Sequence, residues 1–268
     1  IRSLGVKQYR FSIEWAKIEP TPGHWDRAAL DHYRRELALL EANHIEPMIT
    51  LHHFTLPRWV RAQGGWEWSG APEAFARYTR FVYSEIAPGV RDWITINEPM
   101  VHLLGGYVAG LTPPGLTDMK KVSAPLVGLI RAHAASYHAL HEEAARVHRE
   151  IRVGIAHHLR VIEPDSPFNP LLRLVATKMD SAFNWSFGEA CESGHLVLNV
   201  PAMVDIDEQI PEAAHTQDFI GVNYYSRDMV SFSVQTPLSI ELTVHEGSPV
   251  TDLGWEIYPQ GFYQVLKA

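Results

Sequence analysis

Short apolar runs alternate with amphipathic helices along this chain, and that alternation constrains its architecture more than any other feature. Runs over 6–13, 45–51, 93–96, 153–156 and 219–222 are rich in strand-forming residues. The first follows a last helical turn at 1–4, for which Gly5 is the stop. Leu30, Tyr33, Leu37 and Leu40 recur at three- and four-residue steps, the spacing of one helical face. Pro72 opens a second helix, where a proline costs little, and Phe75, Tyr78 and Val82 form its inner face. Leu126, Ile130, His133, Tyr137, Leu140, Ala144 and Val147 give a longer stripe. A further helix falls within 171–190, and a final one starts at Gly261. The segment 226–249 reads as an irregular excursion.

Strands separated by helices imply parallel pairing in a sheet that is either open or closed. The sequence has no glycine fingerprint of a doubly wound nucleotide fold. Polar and aromatic residues gather just after the strands instead: His52 and His53, Asn97 and Glu98, His157 and His158, and Asn223 to Tyr225. Barrel enzymes build their sites at that edge. The expected fold is therefore an α/β (β/α)8 TIM barrel, with residues 1–268 forming a single partial barrel domain. About five βα units are present, strands two to six, and both ends read as cut.

The formal net charge of −8 is spread along the chain and offers no basic face, which argues against nucleic-acid binding. No apolar run is long enough to span a membrane. Cys191 stands alone, so no intrachain disulfide and no cysteine-based metal site can form, which fits a cytoplasmic location. Adjacent strand residues point to opposite faces, which makes His52–His53 and His157–His158 poor metal pairs. His133, on an apolar helix stripe, reads as a packed core histidine.

Four segments in order narrow the reading: Tyr9-Arg10-Phe11-Ser12-Ile13-Glu14-Trp15, Thr50-Leu51-His52-His53-Phe54-Thr55-Leu56-Pro57, Thr95-Ile96-Asn97-Glu98-Pro99, and Phe219-Ile220-Gly221-Val222-Asn223-Tyr224-Tyr225. Gly64-Gly65-Trp66 and Leu253-Gly254-Trp255-Glu256-Ile257-Tyr258-Pro259 accompany them. Together they resemble glycoside hydrolase family 1, the β-glucosidase family, from the first residues to the last. The resemblance implies a retaining β-glycosidase that cleaves terminal β-linked sugars by double displacement, with no metal or organic cofactor. Such a reaction uses two carboxyl groups about 5 Å apart, one of them the acid and then the base.

By that resemblance Glu98 is the general acid/base; read alone, a strand-end glutamate is more often a salt-bridge partner. Asn97 is implied to bind the sugar 2-hydroxyl, and His53 a hydroxyl of the innermost sugar. Arg10 is implied to hold the nucleophile carboxylate, Tyr225 to donate to it, and Asn223 to orient the site. Without the resemblance, Tyr225 is an aromatic packed beside Tyr224. Trp59, Trp66, Trp68 and Trp255 offer faces for sugar stacking, but such residues are more often core or loop anchors, and none is assigned to the site.

The family's nucleophile, in a Thr-Glu-Asn-Gly type motif, has no counterpart in these 268 residues and is expected beyond them. Phe54 and Thr55 stand where many members carry Trp and Asp, which suggests a subgroup. The alternatives are a non-catalytic carbohydrate-binding or inert truncated barrel, and a 6-phospho-β-glycosidase. The expected partner is a β-glycoside; the oligomeric state is left open.

Overall fold

A computed structural model describes residues 1–200, 204–233 and 240–268. Among them run the strands β1 (Gln8–Ser12), β2 (Glu46–His52), β3 (Asp92–Asn97), β4 (Arg152–Pro164), β5 (His195–Val200), β6 (Val204–Gln209), β7 (Phe219–Phe232) and β8 (Ile240–Thr243). One sheet has the order β1-β2-β3-β4-β7-β8, and β5 and β6 form a separate pair. The first five strands of the large sheet are parallel. They are the five that the apolar runs predict, and β8 adds antiparallel to β7.

Helices between the strands supply the crossovers. Arg27–Ala42 follows β1, Ala71–Glu85 follows β2, and Ser123–Arg146 follows β3. Asp26 caps the first of these by accepting from Ala29 N at 2.8 Å. The second and third pack on each other. Thr79 and Ser136 are buried there and bonded to one another at 3.0 Å. β3 is buried along its whole length, which makes it the centre of the sheet. Trp15, Trp66, Trp93, Tyr78, Tyr83 and Phe75 are the largest wholly buried side chains of the core. No helix of the described residues is long and apolar enough to cross a membrane.

Ion pairs fix the registers at both ends of the sheet. Arg152 on β4 grips the buried Asp92 on β3 with two bonds of 2.8 and 2.9 Å, across the register pair Asp92↔Arg152. At the far end Arg160 pairs with Asp228, and Arg227 pairs with Glu163 at 2.9 Å and with the buried Glu256 at 2.7 Å.

The structure corrects the expected excursion over 226–249. β4 and β7 run on together to Pro164↔Val230, and β8 follows; residues 234–239 lie outside the described residues. Arg227 and Asp228 break the apolar pattern there, yet each finds a cross-strand charge, so the ladder continues through them. The β5–β6 hairpin is also absent from the periodicity reading; only Leu196, Leu198 and Ile206 turn inward from it. Within 171–190 the helix is interrupted. Pro170–Asp180 passes through a π-helical turn, Ser181–Trp185, into Ser186–Ser193.

Five histidines among the described residues are buried: His52, His102, His133, His157 and His158. Burial pushes His102 and His157 down to about 4 and His133 to about 3, and it lowers His52 strongly too. An unfolded histidine takes up its proton near pH 6.5, whereas these folded ones refuse it until far lower. Their contribution to stability is therefore full above pH 6.5 and is lost as the pH falls toward the folded values. Each should remove about 1.4 kcal/mol per pH unit in that window. Urea unfolding between pH 7.5 and 5 should show the midpoint falling steadily; a pH-independent midpoint would contradict this.

Candidate active site

Strands β1, β2, β3, β4 and β7 deliver one cluster of polar side chains. Arg10 on β1 reaches across the mouth. Its Nε donates to the buried Thr50 Oγ1 at 3.0 Å, Nη1 to Asn223 Oδ1 at 3.3 Å, and Nη2 to Asn97 Oδ1. The structure leaves Arg10 half-buried, with its charge held by these acceptors and by the nearby Glu98. Burial lowers its guanidinium from the usual value, and the Glu98 charge opposes that.

Because an arginine only donates, its contact fixes the Asn97 amide. The Oδ1 faces Arg10 and Asn223 Nδ2, the latter at 3.2 Å, and the Nδ2 is left for His53 Nε2 at 3.4 Å. His53 then carries its proton on Nδ1, 3.1 Å from Ser12 Oγ. Burial and the Arg10 charge lower its pKa. His53 is exposed at the mouth, while His52 is buried with neither ring nitrogen bonded. The two face apart, as strand alternation requires.

Glu98 sits one residue past β3, 5% exposed. Its backbone is left-handed, at φ 49° and ψ 60°, and its N–H donates to Ala156 O at 2.7 Å. The register between β3 and β4 shifts between Ile94 and Asn97. This irregularity and the left-handed turn bring consecutive residues, Asn97 and Glu98, both onto Asn223. Such a conformation costs a non-glycine residue about 1–2 kcal/mol and persists only where surrounding contacts hold it. Here the Oε1 accepts from Asn223 Nδ2 at 2.5 Å and from the Tyr225 hydroxyl at 3.1 Å. Burial, then the Glu98 charge, raises the Tyr225 pKa, so the phenol keeps its proton.

Two residues join the site without having been singled out for it. His158 Nδ1 lies 4.0 Å from Glu98 Oε2, and its ring meets Tyr225 edge-on at 4.9 Å. Trp255 lies edge-on to Tyr225 at 5.4 Å and is 43% exposed. Strand alternation could have raised His158, since it shares a register pair with Asn223. His157 points away, toward Gln217 at 3.3 Å and Phe187. Trp66 is core, whereas Trp59 and Trp68 are half-buried against each other. His133 is buried between Thr95 Oγ1 and Thr216 O, at 2.7 and 2.8 Å. The described residues hold no cluster of three or more histidine, cysteine or acidic side chains suited to a metal ion.

A parallel sheet of a partial (β/α)8 barrel thus presents an almost buried carboxyl group among amide, phenol, imidazole and guanidinium groups. The sequence profile of glycosyl hydrolase family 1 matches residues 1–268, and the chain belongs to that family. It is 32% identical to a 1,4-beta-D-glucan glucohydrolase of Thermotoga neapolitana, covering 100% of this chain and 63% of the relative. A solved beta-glycosidase from Pyrococcus horikoshii superimposes with a TM-score of 0.87 at 34% identity, over 99% of this chain and 60% of that one. The beta-glucosidase from Thermotoga maritima in complex with glucoimidazole gives 0.85 at 30% identity, over 100% and 60%. The chain thus spans about three fifths of the length of these relatives.

The Glu98 backbone generates a stability test. Both Glu98→Ala and Glu98→Gly lose the carboxylate contacts, but only glycine relieves the positive φ. The glycine variant should unfold at the higher denaturant concentration, with a difference of about 1 kcal/mol; equal midpoints would show that the turn carries no strain.

Proposed function

We propose that this protein is a retaining β-glycosidase acting on terminal β-linked sugars, with Glu98 as its acid and then its base. The observation that carries the reading is the asymmetry of Glu98. Its Oε1 is held by Asn223 and Tyr225, while among the described residues no hydrogen bond reaches Oε2. A carboxyl group so held offers one oxygen, in one orientation, to a leaving-group oxygen and later to a water.

Asn97, turned so that its Nδ2 faces the mouth beside His53, supplies a donor for the sugar 2-hydroxyl. His53 adds a contact to a second hydroxyl. The nucleophile carboxylate is assigned to the part of the relatives' length that residues 1–268 do not span, and Arg10, Asn223 and Tyr225 to its support. The bound glucoimidazole of the Thermotoga maritima relative favours a glucose-like sugar in the innermost position. The whole of residues 1–268 is one partial barrel domain in this reading. The reaction needs no metal or organic cofactor.

Glu98→Gln in the full-length protein is the test. Turnover of glycosides with poor leaving groups should fall by about 10²–10⁴-fold, the scale of a lost general acid. Glycosylation by activated aryl glycosides should fall much less, because those leaving groups need little protonation. Unchanged hydrolysis of poor leaving groups would remove Glu98 from this role.

A further inference from the structure

His158 is buried, and two fixed neighbours hold its ring on either side. Its Nε2 lies 3.2 Å from Arg160 Nη2, and its Nδ1 faces Glu98 Oε2 at 4.0 Å. Its ring packs edge-on to Phe183 and Tyr225. Arg160 is itself immobilised. Its Nη1 pairs with Asp228, and its guanidinium lies 4.8 Å over the Phe183 ring. Its backbone N–H and C=O are both bonded to the side chain of the buried Asn184, at 3.1 and 2.8 Å.

A guanidinium has only donors, so the ring nitrogen that faces it must accept. Nε2 therefore carries the lone pair, and the single proton of the neutral ring is on Nδ1, on the side of Glu98. Burial, followed by the Arg160 charge, pushes His158 down to about 3, so the ring stays neutral under ordinary conditions. The groups around the pair come from every strand of the mouth: Arg10 from β1, His53 from β2, Asn97 from β3, Arg160 from β4, and Asn223, Tyr225 and Asp228 from β7. Of these, Asn223 and Tyr225 are committed to Glu98 Oε1, and the Nδ1–H of His158 is the donor that faces Oε2.

We propose that His158, locked by Arg160 with its proton on Nδ1, is a positioning residue that orients Glu98 Oε2 and favours its charged form. This rests on the reading of Glu98 as acid/base. A neutral donor beside a carboxylate favours the ionised state. When Glu98 must act as base on the covalent intermediate, the imidazole N–H steadies the charge; when Glu98 is protonated, that contact weakens.

Asparagine and glutamine separate this role from simple packing, because an asparagine amide can place a donor near the Nδ1 position and a glutamine amide places it nearer Nε2. In the full-length protein, His158→Asn should keep the alkaline limb of the kcat/KM profile for an aryl β-glucoside in place. His158→Gln should move that limb upward by about half to one pH unit. Identical profiles for the two variants would overturn the inference while leaving the reading of Glu98 intact. Absence of turnover by the unsubstituted protein would overturn that reading and this inference with it. Proton–nitrogen correlation spectra of the unsubstituted protein with 15N-labelled histidine test the lock without reference to activity. The His158 resonances, assigned by their loss in His158→Asn, should report a neutral ring protonated on Nδ1 from pH 8 to 5. A proton on Nε2, or a charged ring above pH 5, would overturn the proposal.

Discussion

The arrangement of the mouth depends on the parallel register of β1, β2, β3, β4 and β7. Ser12 pairs with Thr50, His52 with Ile96, Asn97 with Ala156, and His158 with Asn223. Through that ladder, residues far apart in sequence emerge at one edge of the sheet. A slip of one residue would turn a strand's functional side chains into the helix layer, and its apolar ones into the mouth. Charged pairs along the strands support the observed register, in which Arg152 meets Asp92 and Arg160 reaches Asp228.

Regular alternation alone would not build this site. A strand presents every second residue to one face, yet Asn97 and Glu98 both contact Asn223. The irregularity in β3 and the left-handed backbone at Glu98 make that possible. Phe54, just past β2, is also left-handed, at φ 70°. Of the five non-glycine residues with positive φ among the described residues, these two follow strands at the mouth. Strain is thus placed where side chains must be re-aimed, while the strands that carry them stay regular and buried.

The five parallel strands were legible because each is a compact apolar run flanked by helical stripes of a different period. Motif order made Arg10, His53, Asn97, Glu98, Asn223 and Tyr225 legible as candidates. The extension of β4 and β7 was not, because Arg227 and Asp228 look like loop residues until their partners, Glu163 and Arg160, are seen across the ladder. In the sequence His158 reads as half of an unsuitable histidine pair; only the three-dimensional contact with Glu98 separates it from His157. Trp255 was one aromatic among several, and its place beside Tyr225 depends on a segment whose neighbour Glu256 is gripped by Arg227.

The reach of Arg10 has a kinetic consequence. Its three contacts link it to residues 40, 87 and 213 positions away in the chain. Closing so long a loop carries an entropy cost that only a nearly complete fold can offset, and contacts of that separation form late. An intermediate holding only the first three parallel strands would have Arg10, Thr50 and Asn97 in place, but neither Asn223 nor Tyr225 to grip Glu98. Folding intermediates of this chain would accordingly present an unfinished mouth, and the site would come into being with the docking of β7.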